Sequence, residues 1–181
     1  EIINRDAITG LLNKLTPIVE QAYDSSKHER IAEVLAVTEA SRFLENILVS
    51  NQELTKKSQK RINKLFQSFK DNEDVILSYA TVTAFEYLEQ RKHISVKELD
   101  QFRKWKDTYP KRTGLLEAYG KMLLTRWFNL VDAFEEAKAK TIFQEVEVIA
   151  KTLAEQHGNR ELLIRTIHIR SIGSFLNFYY L

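Results

Sequence analysis

Four stretches of this chain repeat one another, and that self-similarity limits the folds open to it. With Ala36, Ala80, Gly120 and His168 placed in register, 44, 40 and 48 residues apart, the neighbours fall into columns. Four positions earlier stand Ala32, Ile76, Leu116 and Ile164, and one position earlier Leu35, Tyr79, Tyr119 and Ile167. Seven positions later an aromatic column holds Phe43, Tyr87, Trp127 and Phe175. Leu44, Leu88, Phe128 and Leu176 come next, then Glu45, Glu89, Asn129 and Asn177. Offsets of four and seven belong to one helical face. Self-similarity at this period marks a stack of helical repeats, in which each pair hides its apolar face against the next. The third copy, residues 113–131 (TGLLEAYGKMLLTRWFNLV), shows it most plainly.

Composition agrees. Five Gly and two Pro in 181 residues leave few breaks, which favours long helices, and no period-two strand pattern occurs. A chain of this length and ordinary apolar content can bury one core, so residues 1–181 are expected to form a single helical-repeat domain. The absence of cysteine removes disulfides and thiolate metal sites and fits a reducing, cytoplasmic setting. No uncharged run approaches the ~18 residues of a membrane span, and EIINRDAITG lacks the layout of a signal peptide. The chain has no initiating Met and stops on the apolar FLNFYYL, so it is expected either to be a piece of a larger protein or to fold that tail back on its own helix.

Periodicity and capping signals predict eight helices. The first spans 4–23, with Pro17 inside it and a kink or break expected near Thr16, and the second 27–50. Asn51 caps a third over 52–70, and the fourth covers 72–91. Ser95 and Glu98 form a capping box that starts the fifth, and Tyr109-Pro110 ends it. The sixth is the copy at 113–131. Asp132 is expected to cap the seventh, 133–156, with Phe134, Ala137, Ile142, Phe143, Val146, Ile149, Ala150 and Leu153 facing inward. Gly158 suits a left-handed helix end, and the eighth helix runs to the terminus.

The columns resemble the tetratricopeptide-like repeat family. Its first helix carries a large residue, another three positions on, then a small one. Leu116, Tyr119 and Gly120 fit, as do Ile76, Tyr79 and Ala80, and Ala32, Leu35 and Ala36. Pro110 stands ten positions before Gly120, where the family often has proline, after large residues such as Phe102 and Trp105. The repeats here run 40 to 48 residues against about 34 for the family, and His168 replaces the small residue in the fourth copy. Longer repeats of the HEAT type are the nearest alternative fold. The resemblance implies an all-α, right-handed superhelical α-solenoid of about eight antiparallel helices in four pairs. It also implies a non-enzymatic scaffold or regulatory module, without cofactor, that binds a peptide or protein in a concave groove. Mapped residue by residue, the groove would present Glu33 and Val37, Leu77 and Thr81, Glu117 and Lys121, and Arg165 and Ile169. Family members that clamp a terminal carboxylate use Lys and Asn at these places, and this sequence does not.

The aromatic column reads as core between repeats rather than a ligand cage. Asn129 and Asn177 share a register and are placed to hold the backbone of an extended peptide, or to cap or bridge repeats. His28, His93, His157 and His168 form no metal-ligand spacing, and no nucleophile elbow, phosphate loop or kinase signature is present. One rival function stands out. Residues 52–70 carry six Lys or Arg against one Glu, and Lys56, Lys57, Lys60, Arg61 and Lys64 lie on adjoining turns. With Arg91, Lys92, Lys97, Arg103, Lys104, Lys106, Lys111 and Arg112 near the fifth helix, they would make either a solvated convex face or a surface that tracks nucleic-acid phosphates.

Overall fold

The computed structural model describes residues 5–48 and 50–175. Among these residues are eight helices and no strand, as the periodicity predicts: α1 (Arg5–Ser26), α2 (Glu29–Leu48), α3 (Gln52–Ser68), α4 (Glu73–Glu89), α5 (Val96–Thr108), α6 (Thr113–Asp132), α7 (Glu136–His157) and α8 (Glu161–Phe175). Local capping sets several boundaries. The Asn51 side chain accepts from the Leu54 N–H at the start of α3. At the start of α5 the Ser95 and Glu98 side chains bond each other's backbone N–H, satisfying two donors that the helix leaves open. Gly158 ends α7 at φ 68°, a left-handed conformation in which glycine carries no Cβ penalty.

The chain divides into two compact units, one ending at Val82 and the other beginning at Thr83, with the division inside α4. In the first, α2 packs against α1 and α3. Ala32, Leu35 and Ala36 of α2 join Leu65 of α3 and Val75 of α4 in its core, flanked by Val19, Tyr23, Phe66 and Phe69. The Phe66 and Tyr79 rings stack with centroids 4.1 Å apart. Leu11, Leu15 and Ile18 of α1 are exposed.

In the second unit α6 packs on α5, α7 and α8, and α7 packs on α8. Helix α6 is buried almost throughout its middle, from Ala118 to Thr125. Gly120 explains how three helices crowd together there. A Cβ at residue 120 would lie 2.6 Å from Leu162 Cδ2 and 3.1 Å from Ile149 Cγ2. The small-residue column therefore has a packing cause: Ala36 and Ala80 are also fully buried. The aromatic column is core at Phe43 and Trp127, whereas Tyr87 is half-buried and donates its hydroxyl to Glu98 at 2.6 Å. The Phe175 side chain, Leu176 and Asn177 lie outside the described residues and side chains.

Two expectations are corrected, and in a third, the kink or break near Thr16, only the break is excluded. Helix α1 runs through Pro17 without a break. Thr16, fully buried just before it, donates its hydroxyl to the Leu12 carbonyl at 2.6 Å, within the helix's own turn. Asp132 is the last residue of α6 and does not cap α7, which begins after Glu135 with no side-chain cap. Phe134 does not face inward. It occupies the α6–α7 turn at φ 58° and is 82% exposed, and Ala137 is exposed as well. The inward face of α7 begins at Ala139 and continues through Phe143, Val146, Ile149, Ala150 and Leu153.

Candidate functional site

A cavity of about 440 Å³ opens in the second unit among the C-terminal end of α4, the middle of α6 and α8. That volume lies in the range of ligand and side-chain pockets. Spacing along each helix builds it. Leu124 and Phe128 stand one turn apart on α6, and Arg165, His168, Ile169 and Ile172 recur every three or four residues on α8, so each set shares a face. Leu88 and Glu89 complete the wall from α4, with Arg91 just beyond it. Leu88 and Phe128 belong to one repeat column, and His168 fills the small-residue column of the fourth copy. Residues of two sequence columns thus line the cavity.

The polar rim has two unlike cations. Arg165 Nη2 lies 3.1 Å from Glu89 Oε1, and its Nε lies 3.5 Å from Glu161 Oε1. Arg91 instead sets its guanidinium carbon 4.6 Å from the centroid of the Phe128 ring. No carboxylate stands within ion-pairing distance of it among the described residues. The end of α4 fixes Arg91 in place. The Lys92 N–H donates to the Tyr87 carbonyl at 3.0 Å, closing the helix around a left-handed residue 91 at φ 46°. Sequence reading grouped Arg91 with the basic surface. Its place beside Phe128 is set by the helix end, and a left-handed arginine leaves no signature in the sequence.

Arg165 and Ile169, expected in a groove, both line this cavity. The other expected groove residues are mostly engaged in the fold. Glu33 accepts from Asn72 Nδ2 at 2.7 Å. Buried Lys121 pairs with Glu117 at 2.7 Å and with Glu161 at 3.2 Å, and Glu117 also accepts from Asn159. Asn129 is engaged by the neighbouring turn. Its carbonyl oxygen accepts from the Ile94 N–H at 3.0 Å and its amide donates to the Lys92 carbonyl, which ties the α4–α5 turn to α6. Asn pairs with backbone in this way when a nearby turn leaves a donor and an acceptor open. Thr81 is half-buried on α4, and Asn177 lies outside the described residues.

The basic residues divide likewise. Arg61 is held by Glu39 and Glu20 within the first unit. Arg103 donates from Nε to the Tyr119 hydroxyl at 3.0 Å, and Tyr119 donates to Glu145 at 2.8 Å. Burial pushes the Tyr119 hydroxyl up to about 12, so it stays a neutral link in that chain. Lys56, Lys57, Lys60 and Lys64 of α3, and Lys104 of α5, are exposed. Among the described residues no group of three or more histidine or acidic side chains is placed to hold a metal ion, and no helix is long and apolar enough to cross a membrane. No protein-family model, curated protein or solved structure matches the chain.

Proposed function

We propose that this chain is a non-enzymatic interaction module that takes a peptide or protein segment into the cavity lined by α4, α6 and α8. In this reading it is a tetratricopeptide-like helical array with its helix pairs stacked as a solenoid, working in the cytoplasm as the scaffold or regulatory part of a larger protein. One observation carries the reading. The cavity pairs an apolar floor, Leu88, Leu124, Phe128 and Ile169, with a charged rim, Arg91 and Arg165, which is the composition of a site that both holds and orients a ligand. Its walls come from the helices that carry the repeat columns, so the array presents the site ready-made.

The test is capture from a lysate, with and without nuclease, on the wild-type chain and on Ile169→Glu. Ile169 is half-buried at the cavity, so a glutamate there meets the floor without entering the core. A protein held by the wild type after nuclease treatment, and lost from a folded Ile169→Glu variant, supports the reading. Retention by both variants overturns it.

A second reading rests on the four exposed lysines of α3, none of which has a carboxylate within ion-pairing distance among the described residues. Such a row suits nucleic-acid phosphates. Binding through it would weaken steeply between low and moderate salt, and the Lys56, Lys57, Lys60 and Lys64 replacements would reduce that salt slope.

A further inference from the structure

We propose that the α4–α6–α8 cavity selects an acidic segment. One large apolar side chain of the partner enters over Leu124, Phe128 and Ile169, and an adjacent Asp or Glu side chain pairs with Arg91. This inference rests on the interaction-module reading and names the chemistry that the cavity takes.

The argument is one of accounting for charge along the rim. Glu89 is the acidic residue among those that line the cavity, and Arg165 already holds it. Arg165 also meets Glu161, so its own charge is answered twice. Arg91 is different. Its contact with Phe128 fixes the guanidinium at the edge of the apolar floor without neutralising it. A guanidinium offers a planar fork of donors that matches a carboxylate, and Arg91, though exposed, is held beside the floor by the Phe128 ring and the end of α4. A basic ligand would meet this charge as repulsion, and a purely apolar one would make no use of it. An acidic group beside an apolar anchor satisfies both parts of the cavity.

Residue 91 also supplies an unusually clean test. At φ 46° glycine fits without strain, so Arg91→Gly removes the side chain while suiting the backbone of the helix end. Random short peptides displayed on phage are selected on the immobilised full chain, as wild type and as Arg91→Gly. Peptides are joined to the coat protein at their C-termini, so any acid selected is a side chain. The wild type is expected to enrich sequences with a large apolar residue beside Asp or Glu. An amidated synthetic peptide of that consensus is expected to bind the wild type about tenfold more tightly than Arg91→Gly. Replacing its acid by the matching amide should weaken wild-type binding and leave Arg91→Gly nearly unaffected. Enrichment of apolar sequences with no acidic preference overturns the pairing with Arg91 and leaves the module reading standing. Failure to enrich any sequence over bare support overturns both.

Discussion

The Arg61 guanidinium lies 2.8 Å from a carboxylate oxygen of Glu39, and Glu39 is fully buried. The same guanidinium also holds Glu20 of α1, so one side chain of α3 ties three helices. Burial lowers the Arg61 guanidinium from its ordinary value, a sign of partial withdrawal from water. Arg61→Ala would leave the Glu39 charge buried and without its main partner. A loss of about 3 kcal/mol in unfolding free energy is expected, because breaking a buried pair from one side is far costlier than its net worth. Lys60→Ala and Lys64→Ala, on the same helix but exposed, should change stability by less than about 0.5 kcal/mol. Urea denaturation of the three variants decides it. Equal effects would mean that the Arg61–Glu39 contact contributes little.

Gly120 supplies the second expectation. A larger side chain there would run into Leu162 and Ile149 at the crowding of α6, α7 and α8. Gly120→Leu should destabilise by about 1–3 kcal/mol through overpacking. Gly120→Ala is finely balanced, since alanine favours a helix by about 1 kcal/mol while its Cβ presses on Leu162. Combining it with Leu162→Ala should reveal positive coupling. The double variant would be more stable than the sum of the singles allows, because the second change vacates the space that the first one needs. Strict additivity in thermal unfolding would show that the helices move apart instead.

The same residue shows what the sequence made legible. Gly120, Ala36 and Ala80 were visible as a column, because close helix packing admits only small side chains at that offset. The caps at Asn51 and Ser95 were equally visible, because capping is local chemistry within a few residues. The cavity was only half visible. Arg165 and Ile169 lay on the face that the family resemblance implied for a groove, but Arg91 did not, since its position follows from how one helix terminates. Glu33, Glu117, Lys121 and Asn129 were expected to be open to a partner. Whether a polar side chain on a helix face meets solvent or a neighbouring turn depends on residues such as Asn72, Asn159, Glu161 and Ile94, which are 35 to 42 positions away in sequence. Single-helix periodicity carries no information at that range.

Glu98 links the cap of α5 to the aromatic column and predicts a pH dependence. Burial alone would raise its carboxyl, but hydrogen bonds from the Ser95 hydroxyl, the Tyr87 hydroxyl and the Ser95 backbone outweigh burial and hold it below its ordinary 4.5. A carboxyl depressed in the folded state contributes stability that is present above the unfolded value and is lost as pH falls through the folded one. Stability should therefore decline below about pH 4.5, and Glu98→Gln should make that decline shallower. Tyr87→Phe should act in the same direction by a smaller amount, as it removes one of the three bonds. Unfolding free energies measured at several pH values check this. An acid limb unchanged in Glu98→Gln would show that other carboxylates govern it.

Phe134 is expected to be a place where replacement stabilises the protein. Its backbone stands at φ 58°, a region that a bulky residue occupies only at a conformational cost of about 1 kcal/mol or more, while its ring gains little from packing at 82% exposure. The conformation persists because it closes α6. The Phe134 N–H reaches the Val131 carbonyl at 3.0 Å and the Glu135 N–H reaches the Leu130 carbonyl at 2.9 Å, answering acceptors at the helix end. Phe134→Gly keeps both bonds and removes the penalty, so it should raise Tm by about 2–4 °C. Phe134→Ala retains a Cβ at the same φ and should gain less. If glycine instead lowers Tm while alanine does not, backbone freedom in the unfolded chain outweighs the strain. If both lower it, the ring makes a stabilising contact that its exposure conceals.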